Sequence, residues 1–411
     1  MLSTRFRLAS LAVLAVSAAT AAMPHQAHAK ETITFAAASF AEPGRGDKMR
    51  AWLDKFNTSQ DKVEVKPVAI PFSSFVSTVF TQMGGGSGPD LVRFDLPEFY
   101  AAAEADRLAP IDAYIKDDDF KFGPADQYMR IGGKRYGIVF EVSNYAMVYN
   151  KDLVKGDPPT NFDQFLAAAK AATTGGNYGF AYRATMAERG GMWYDLCNFV
   201  YGFGGRWSND KGEPTLNSPE VVQGIDAYKR VYDAGVIPKG ADAATYRRMF
   251  AQGKLAMEID NGGVAANLAT EGKSIQMGAA PSPFPHKAQA MILAPITVNA
   301  NSKHQEAAAT FLKWMLGAEP QAELQQIHGA SSVATEVPRS AQEEQKWPWI
   351  HVYDEQTQNS VPPLPKGLET KAPEIQQIVV QQVIKVLQNG TDPQQAMNEA
   401  QKKAERLVSK K

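Results

Sequence analysis

One cysteine, Cys197, is all the sequence offers for disulfide chemistry. A single thiol forms no internal bridge, so an ordinary apolar core has to hold the fold. Cys197 lies in the apolar stretch Leu196–Val200 with no His near it, and reads as a small buried hydrophobe. Charge of one sign is missing too: 43 Lys and Arg meet 44 Asp and Glu, a net charge of −1. That excludes the basic stripe of a nucleic-acid binder and the charge block of a disordered tail. The six His are scattered, two of them in the first 29 residues, and none forms a zinc-spaced pair. There is no Gly-x-Ser-x-Gly elbow. The glycines at 84–88 run into Pro89-Asp90, not Lys-Ser/Thr, which excludes a phosphate loop. Asp117-Asp118-Asp119 lacks EF-hand spacing and reads as a solvated run. No cofactor and no metal is expected. Paired carboxylates for glycoside cleavage stay open.

Long apolar runs are absent except one. Arg5 and Arg7 precede an apolar stretch from Leu8 to Ala22, and Ala27-His28-Ala29 follows as a small-x-small site. That is the order of a secretory leader, and the run is short of the roughly 20 residues that span a bilayer. Residues 1–29 are therefore expected to be removed, taking two Arg and leaving a net charge of −3. No Cys follows the site, so the expected product is free in the periplasm and not a lipoprotein.

What is present alternates. Thr32–Ala37 and Val63–Val68 read as strands, Asp90–Phe94 as a short buried one. Asp47–Thr58 and Ser73–Met83 read as helices, with Met49, Trp52, Leu53 and Phe56 at helical spacing in the first. Such a series argues for helices packed on a mostly parallel sheet, with ligands beyond the carboxyl ends of its strands. Tyr136–Tyr149 is one long β-type run. Phe162–Ala172, Pro219–Ala234, Lys303–Leu316, Pro320–His328, Pro373–Leu387 and Pro393–Val408 read as helices; Leu255–Ile259 and Ala290–Val298 as strands. Gly175–Trp207 is Gly- and aromatic-rich, and Val337–Lys371 reads as a surface connection.

Several segments carry a resemblance. Gly133-Lys-Arg-Tyr-Gly-Ile138, Val148-Tyr-Asn-Lys-Asp-Leu153 and Pro158-Pro-Thr-x-Phe-Asp-Gln-Phe165 fall in order. So do Ser87-Gly-Pro-Asp-Leu-Val92, Ala105-Asp-Arg-Leu-Ala-Pro-Ile111, Phe250-Ala-Gln-Gly-Lys-Leu-Ala-Met257 and Phe311-Leu-Lys-Trp-Met-Leu316. Together they resemble extracellular solute-binding protein family 1, the maltose-binding-protein type of ABC-importer receptor, over most of the chain beyond residue 29. Asp106 stands where that family usually has Gly.

The resemblance implies an α/β, two-lobed periplasmic-binding-protein (type II) fold, with hinge-connected lobes and a cleft between them. Lobe one would hold residues 30–139 plus 284–335, lobe two 140–283 plus 336–411, with crossings at Ile138–Val148 and Ala280–Phe284. It implies a monomer that is no enzyme. Such a receptor captures a sugar or oligosaccharide and docks on membrane permease subunits, with no nucleic acid involved. Polyamines, glycerol phosphates and other small polar solutes stay open as ligands.

Position then nominates contacts. Glu42 and Arg45 follow the first strand, and Asp95 follows the third. Glu141 and Asn144 lie on the first crossing, Trp193 and Trp207 in the aromatic segment, and Glu258, Asp260 and Asn261 after Ala256-Met257. Ser331 lies near the last crossover. Carboxylates, amides and guanidinium groups suit sugar hydroxyls, and an aromatic ring suits a sugar's C–H face. Each has a plainer reading: Arg45 as loop solvation, Trp193 as core, Asp260-Asn261-Gly262-Gly263 as a turn. Many members of the resembled family carry a stacking aromatic near position 263, where this chain has Gly.

Overall fold

The computed structural model describes residues 29–42, 44–272 and 274–409; of the leader read at 1–29, only Ala29 is among them. The strands are β1 (Glu31–Ala37), β2 (Val63–Ala69), β3 (Leu91–Arg93), a small hairpin of β4 (Arg130–Ile131) and β5 (Lys134–Arg135), β6 (Gly137–Asn150), β7 (Tyr178–Ala181), β8 (Leu255–Asn261), β9 (Met277–Ala280), β10 (Gln289–Val298) and β11 (Ser360–Val361). The first seven helices are α1 (Arg45–Ser59), α2 (Phe72–Gly84), α3 (Leu96–Glu104), α4 (Phe162–Ala172), α5 (Arg189–Gly202), α6 (Pro219–Asp233) and α7 (Ala243–Ala251). They are followed by α8 (Gly262–Glu271), α9 (Gln305–Met315), α10 (Ala318–His328), α11 (Ala341–Lys346), α12 (Ile350–Glu355), α13 (Ala372–Asn389) and α14 (Pro393–Val408). Among the described residues no helix is long and apolar enough to cross a membrane.

Two large cores make two lobes. One packs Phe35, Trp52, Phe99, Ile138, Leu293 and Phe311; the other packs Tyr145, Phe165, Phe180, Trp193, Tyr228 and Val383. A sheet in the order β2-β1-β3-β10-β6-β8-β7 runs through both. Its long members are the bridge. β6 gives Ile138–Phe140 and Val142 to the first core and Tyr145, Met147 and Tyr149 to the second, and β10 pairs antiparallel beside it. Fourteen extended residues reach roughly 45 Å, enough to serve both lobes. A third link runs at Ser332, which pairs with Val142.

Two sequence expectations change, and one segment that had no assigned element gains two. The second crossing is β10, not Ala280–Phe284: β9 lies beside β6, and Phe284 packs in the second core. Gly175–Trp207 folds into β7 and α5, and α5 is buried from Met192 to Gly202. A helix enclosed on all sides has no polar face, so it shows no amphipathic period. Val337–Lys371 is no surface connection either. Through α11 and α12 it packs Trp347, Trp349, Ile350 and Tyr353 against Ala146, Val148 and Ala265. The Pro and Gln of this segment disguised the aromatic residues that seat it as a strap on lobe two.

Candidate ligand-binding cleft

Strand direction sets the site. β1 and β3 are parallel, β10 is antiparallel to β3, and β6 is antiparallel to β10. β1 and β3 therefore run toward lobe two, as β6 does. β8 is antiparallel to β6 and β7 parallel to β8, so both run toward lobe one. The carboxyl ends of the two lobes' strands face each other across the bridge, where open α/β sheets bind ligands.

Glu141 lies at the floor, 4% exposed. Arg45, from the first turn of α1, donates to its Oε2 at 2.7 Å, and Arg93 lies 3.7 Å from the same oxygen. Ser331 donates to Oε1 at 3.2 Å. Burial alone would raise this carboxyl's pKa, but the nearby cations, Arg45 foremost, outweigh it and hold it well below the usual range. His328, at the end of α10, meets Arg45 through Nδ1 and sets its ring edge-on to Phe140. Burial, with Arg45 adding to it, pushes His328 down to about 3, so the ring is neutral and Nδ1 accepts. The network continues: Ser331 Oγ lies 2.8 Å from Ser143 Oγ, which accepts the Gly263 N–H at 3.3 Å. Asn261 Oδ1, 3.4 Å from Ser143 Oγ, accepts the Val264 N–H and caps α8.

The walls carry more charge. On lobe one, Arg93 donates to Asp95 at 2.5 Å, and Glu42 lies 3.4 Å from Arg45. Burial pushes Glu98, in the first turn of α3, up to about 8, and Asp95 adds to it. On lobe two, Tyr194 stacks on Tyr145 with centroids 6.1 Å apart. Burial raises the Tyr194 phenol well above its ordinary value, and Asp95 and Glu98 reach it across the cleft. Arg183 donates to Asp195 at 2.8 Å in a buried pair beside them.

Four buried polar atoms in and around these walls have no partner among the described residues: Ser39 Oγ, Arg45 Nε, Tyr194 OH and His328 Nε2. Each orphaned buried group costs about 1–3 kcal/mol. A ligand that bonds them recovers that cost.

The nominated residues separate into two sets. Glu42, Arg45, Asp95, Glu141, Asn261 and Ser331 come together around this floor. The others do not. Trp193 and Trp207 are fully buried and stack on each other at 4.6 Å; their N–H groups go to Pro363 O and Cys197 Sγ. They are core, and no ring face is left for a sugar. Asn144 lies on the opposite face of β6, because three residues separate it from Glu141 and strand side chains alternate. Its amide is used by Tyr353 O, Thr357 and Ser360. Glu258 and Asp260 pair with Val148 and Ala146, placing them on the face of β8 away from Tyr145. Arg247 holds Asp260 at 2.7 Å, and both Glu258 oxygens are buried without a partner among the described residues.

Gly263 has a physical reason. A Cβ at Gly262 would come within 2.5 Å of Ala330 O, and one at Gly263 within 3.3 Å of His328 O and Ser331 Oγ. A side chain at 262 would collide with the third link, and one at 263 would press on it. Glu98, Ser143, Arg183 and His328 were not anticipated. Ser143 alone left a signal, being two residues from Glu141 on a strand.

Known proteins resemble this chain in sequence and in fold. A putative binding protein of Brucella abortus is 26% identical over 275 residues, 63% of this chain and 66% of that protein. The maltotriose-binding protein of Pyrococcus abyssi is 29% identical over 243 residues, 56% of this chain and 51% of that one. The match thus spans less than two thirds of either relative's length. An ABC substrate-binding protein of Listeria monocytogenes, solved in complex with cycloalternan, shares the fold with a TM-score of 0.79 at 23% identity, covering 93% of this chain and 100% of that one. The family model described as bacterial extracellular solute-binding protein matches residues 41–322, more than half of the chain, and implies a periplasmic or extracellular location. With the fold and that match in agreement, the chain belongs to the bacterial extracellular solute-binding proteins.

Proposed function

We propose that this protein is the receptor of an ABC importer, capturing a sugar or oligosaccharide between its lobes and delivering it to membrane permease subunits. One observation carries the ligand class: Ser39 Oγ, Arg45 Nε and Tyr194 OH are buried and unpaired where the strand ends converge. A polyol presents many hydroxyls that both donate and accept, so it suits a hydroxyl, a guanidinium N–H and a phenol together. The walls pair their charges, Arg45 with Glu141 and Arg93 with Asp95, which favours a neutral solute. That the Pyrococcus relative is named for maltotriose and the Listeria structure holds cycloalternan supports the same class.

A ligand bonded to both lobes at once favours the form in which both reach it, so binding closes the hinge. The chain acts without a cofactor, as a monomer, and returns its ligand unaltered. It reaches the periplasm by a leader cleaved after Ala29 and is not lipid-anchored.

A thermal-shift screen tests this. Maltotriose, cycloalternan, mannitol, spermidine and glycerol 3-phosphate are compared at concentrations well above their expected Kd. Stabilisation by one or more of the neutral sugars is expected, with the sugar recovered intact. Stabilisation by spermidine or glycerol 3-phosphate alone would overturn the ligand class, and hydrolysis of the sugar would overturn the receptor role.

A further inference from the structure

A second cavity lies behind the bridge. Strand alternation turns Glu141, Ser143 and Tyr145 toward the cleft and Val142 and Asn144 away from it. On that far side the structure encloses about 400 Å³, walled by Val139, Val142, Met291, Val333 and Val337 with Tyr128 and Thr357 toward the rim. This is the size range of small-molecule pockets, which are mostly apolar with a few placed polar groups.

Its walls belong to different lobes. Gly123 N–H donates to Ala334 O at 2.9 Å, and Thr335 N–H to Gln321 of α10, so this wall moves with lobe one. Opposite, Thr357 and Ser360 bond Asn144 at 2.9 and 2.7 Å, and Ser360 pairs with Gln289 of β10. That wall moves with lobe two. Cleft and cavity sit on opposite faces of the same pivot strands. A hinge at those strands that opened the cleft would drive the rear walls together, and one that closed it would part them.

We propose that this rear cavity is a regulatory site for a small uncharged amphipathic molecule, an apolar ring or chain carrying a hydroxyl, whose occupancy favours the closed cleft. The chemistry follows from the lining: Glu336 is its one charged side chain, no cation faces it to attract an anion, and hydroxyls and amides edge an aliphatic wall. An occupant filling the space resists convergence of the walls and so resists opening. Coupling of this kind is reciprocal, and typical sizes change affinity about 5- to 150-fold. The coupling rests on the receptor reading above; the existence of the site does not.

Calorimetric titration with benzyl alcohol and cyclohexanol tests the site, on the wild type and on two variants. Ala334→Phe fills the cavity from inside, and Thr357→Trp blocks its exposed rim, so a folding defect in the first leaves the second informative. Binding to the wild type, weakened at least tenfold in a folded variant, is expected. Equal binding to wild type and variants, or none to the wild type, overturns the site. With benzyl alcohol saturating, maltotriose should bind the wild type about fivefold more tightly or better. Unchanged or weaker maltotriose binding overturns the coupling. If maltotriose fails to bind at all, the receptor reading for that sugar fails, and the alcohol titrations still decide the site.

Discussion

Replacing Glu258 by Gln should leave stability near pH 4 almost unchanged and raise it by a few kcal/mol at pH 8. Glu258 is 1% exposed in mid-β8, and neither carboxyl oxygen has a partner among the described residues. Burial pushes its pKa up to about 8, and Asp260 adds to this; Arg247 and Arg183 pull the other way, and Asp195 is a further acid within reach. An unfolded Glu titrates near 4.3. Between those values the folded protein keeps a proton that the unfolded chain has released. The neutral carboxyl's contribution is therefore fully present below pH 4 and is lost as pH rises toward 8, at about 1.4 kcal/mol per pH unit for complete proton retention. The full interval gives an upper bound of about 5 kcal/mol, and water entering around the ionised group brings a realistic figure to about 2–3 kcal/mol. Gln cannot ionise and carries none of this slope. The assay is urea unfolding of both proteins from pH 4 to 9, read as the difference in ΔG at constant m. The subtraction removes other titrating groups, Glu98 included. A difference that stays flat across this range would show that Glu258 is ionised or hydrated in the fold and would refute the reasoning.

Three further outcomes are expected. Trp207→Ala removes one of two stacked buried rings and should cost about 3–5 kcal/mol in urea unfolding. Tyr194→Phe deletes an unpaired buried hydroxyl and should stabilise the ligand-free protein by about 1–3 kcal/mol in urea unfolding, while calorimetric affinity for the bound sugar falls about tenfold. Arg45→Met takes the nearest counter-charge from buried Glu141 and should destabilise by about 3 kcal/mol, with Glu141→Gln added on top restoring most of the loss in the same assay.

Much of the fold was legible because its elements are amphipathic. Phe162–Ala172 and Pro393–Val408 were read with the bounds the structure has, each with one apolar face and a polar opposite face. α5 was not, since a helix buried on every side carries no period. At the site, position relative to strand ends was informative for Asp95, two residues past β3, and for Arg45, which opens α1 beyond the end of β1. Alternation along β6 was available and separates Glu141 from Asn144. The burial of Trp207 was not available. It follows Gly204-Gly205 as a turn residue would, and only contact with Trp193 and Cys197 encloses it. Arg183 with Asp195 and His328 with Arg45 are likewise products of the fold, joining segments that no local pattern links.

The interleaving of the two lobes along the chain bears on biogenesis. The first core takes Ile33 to Val142, then waits for Met291 to Ala334; β3 has its partner in β10, and Trp52 packs on Phe311. A nascent chain emerging amino end first therefore lacks pieces of its first core, which also takes in Leu364 and Ala372, until most of it has been made. Contacts this far apart in sequence form slowly. On the proposed export through a translocation channel, where a polypeptide has to stay uncollapsed while it passes, this topology would supply that delay from within.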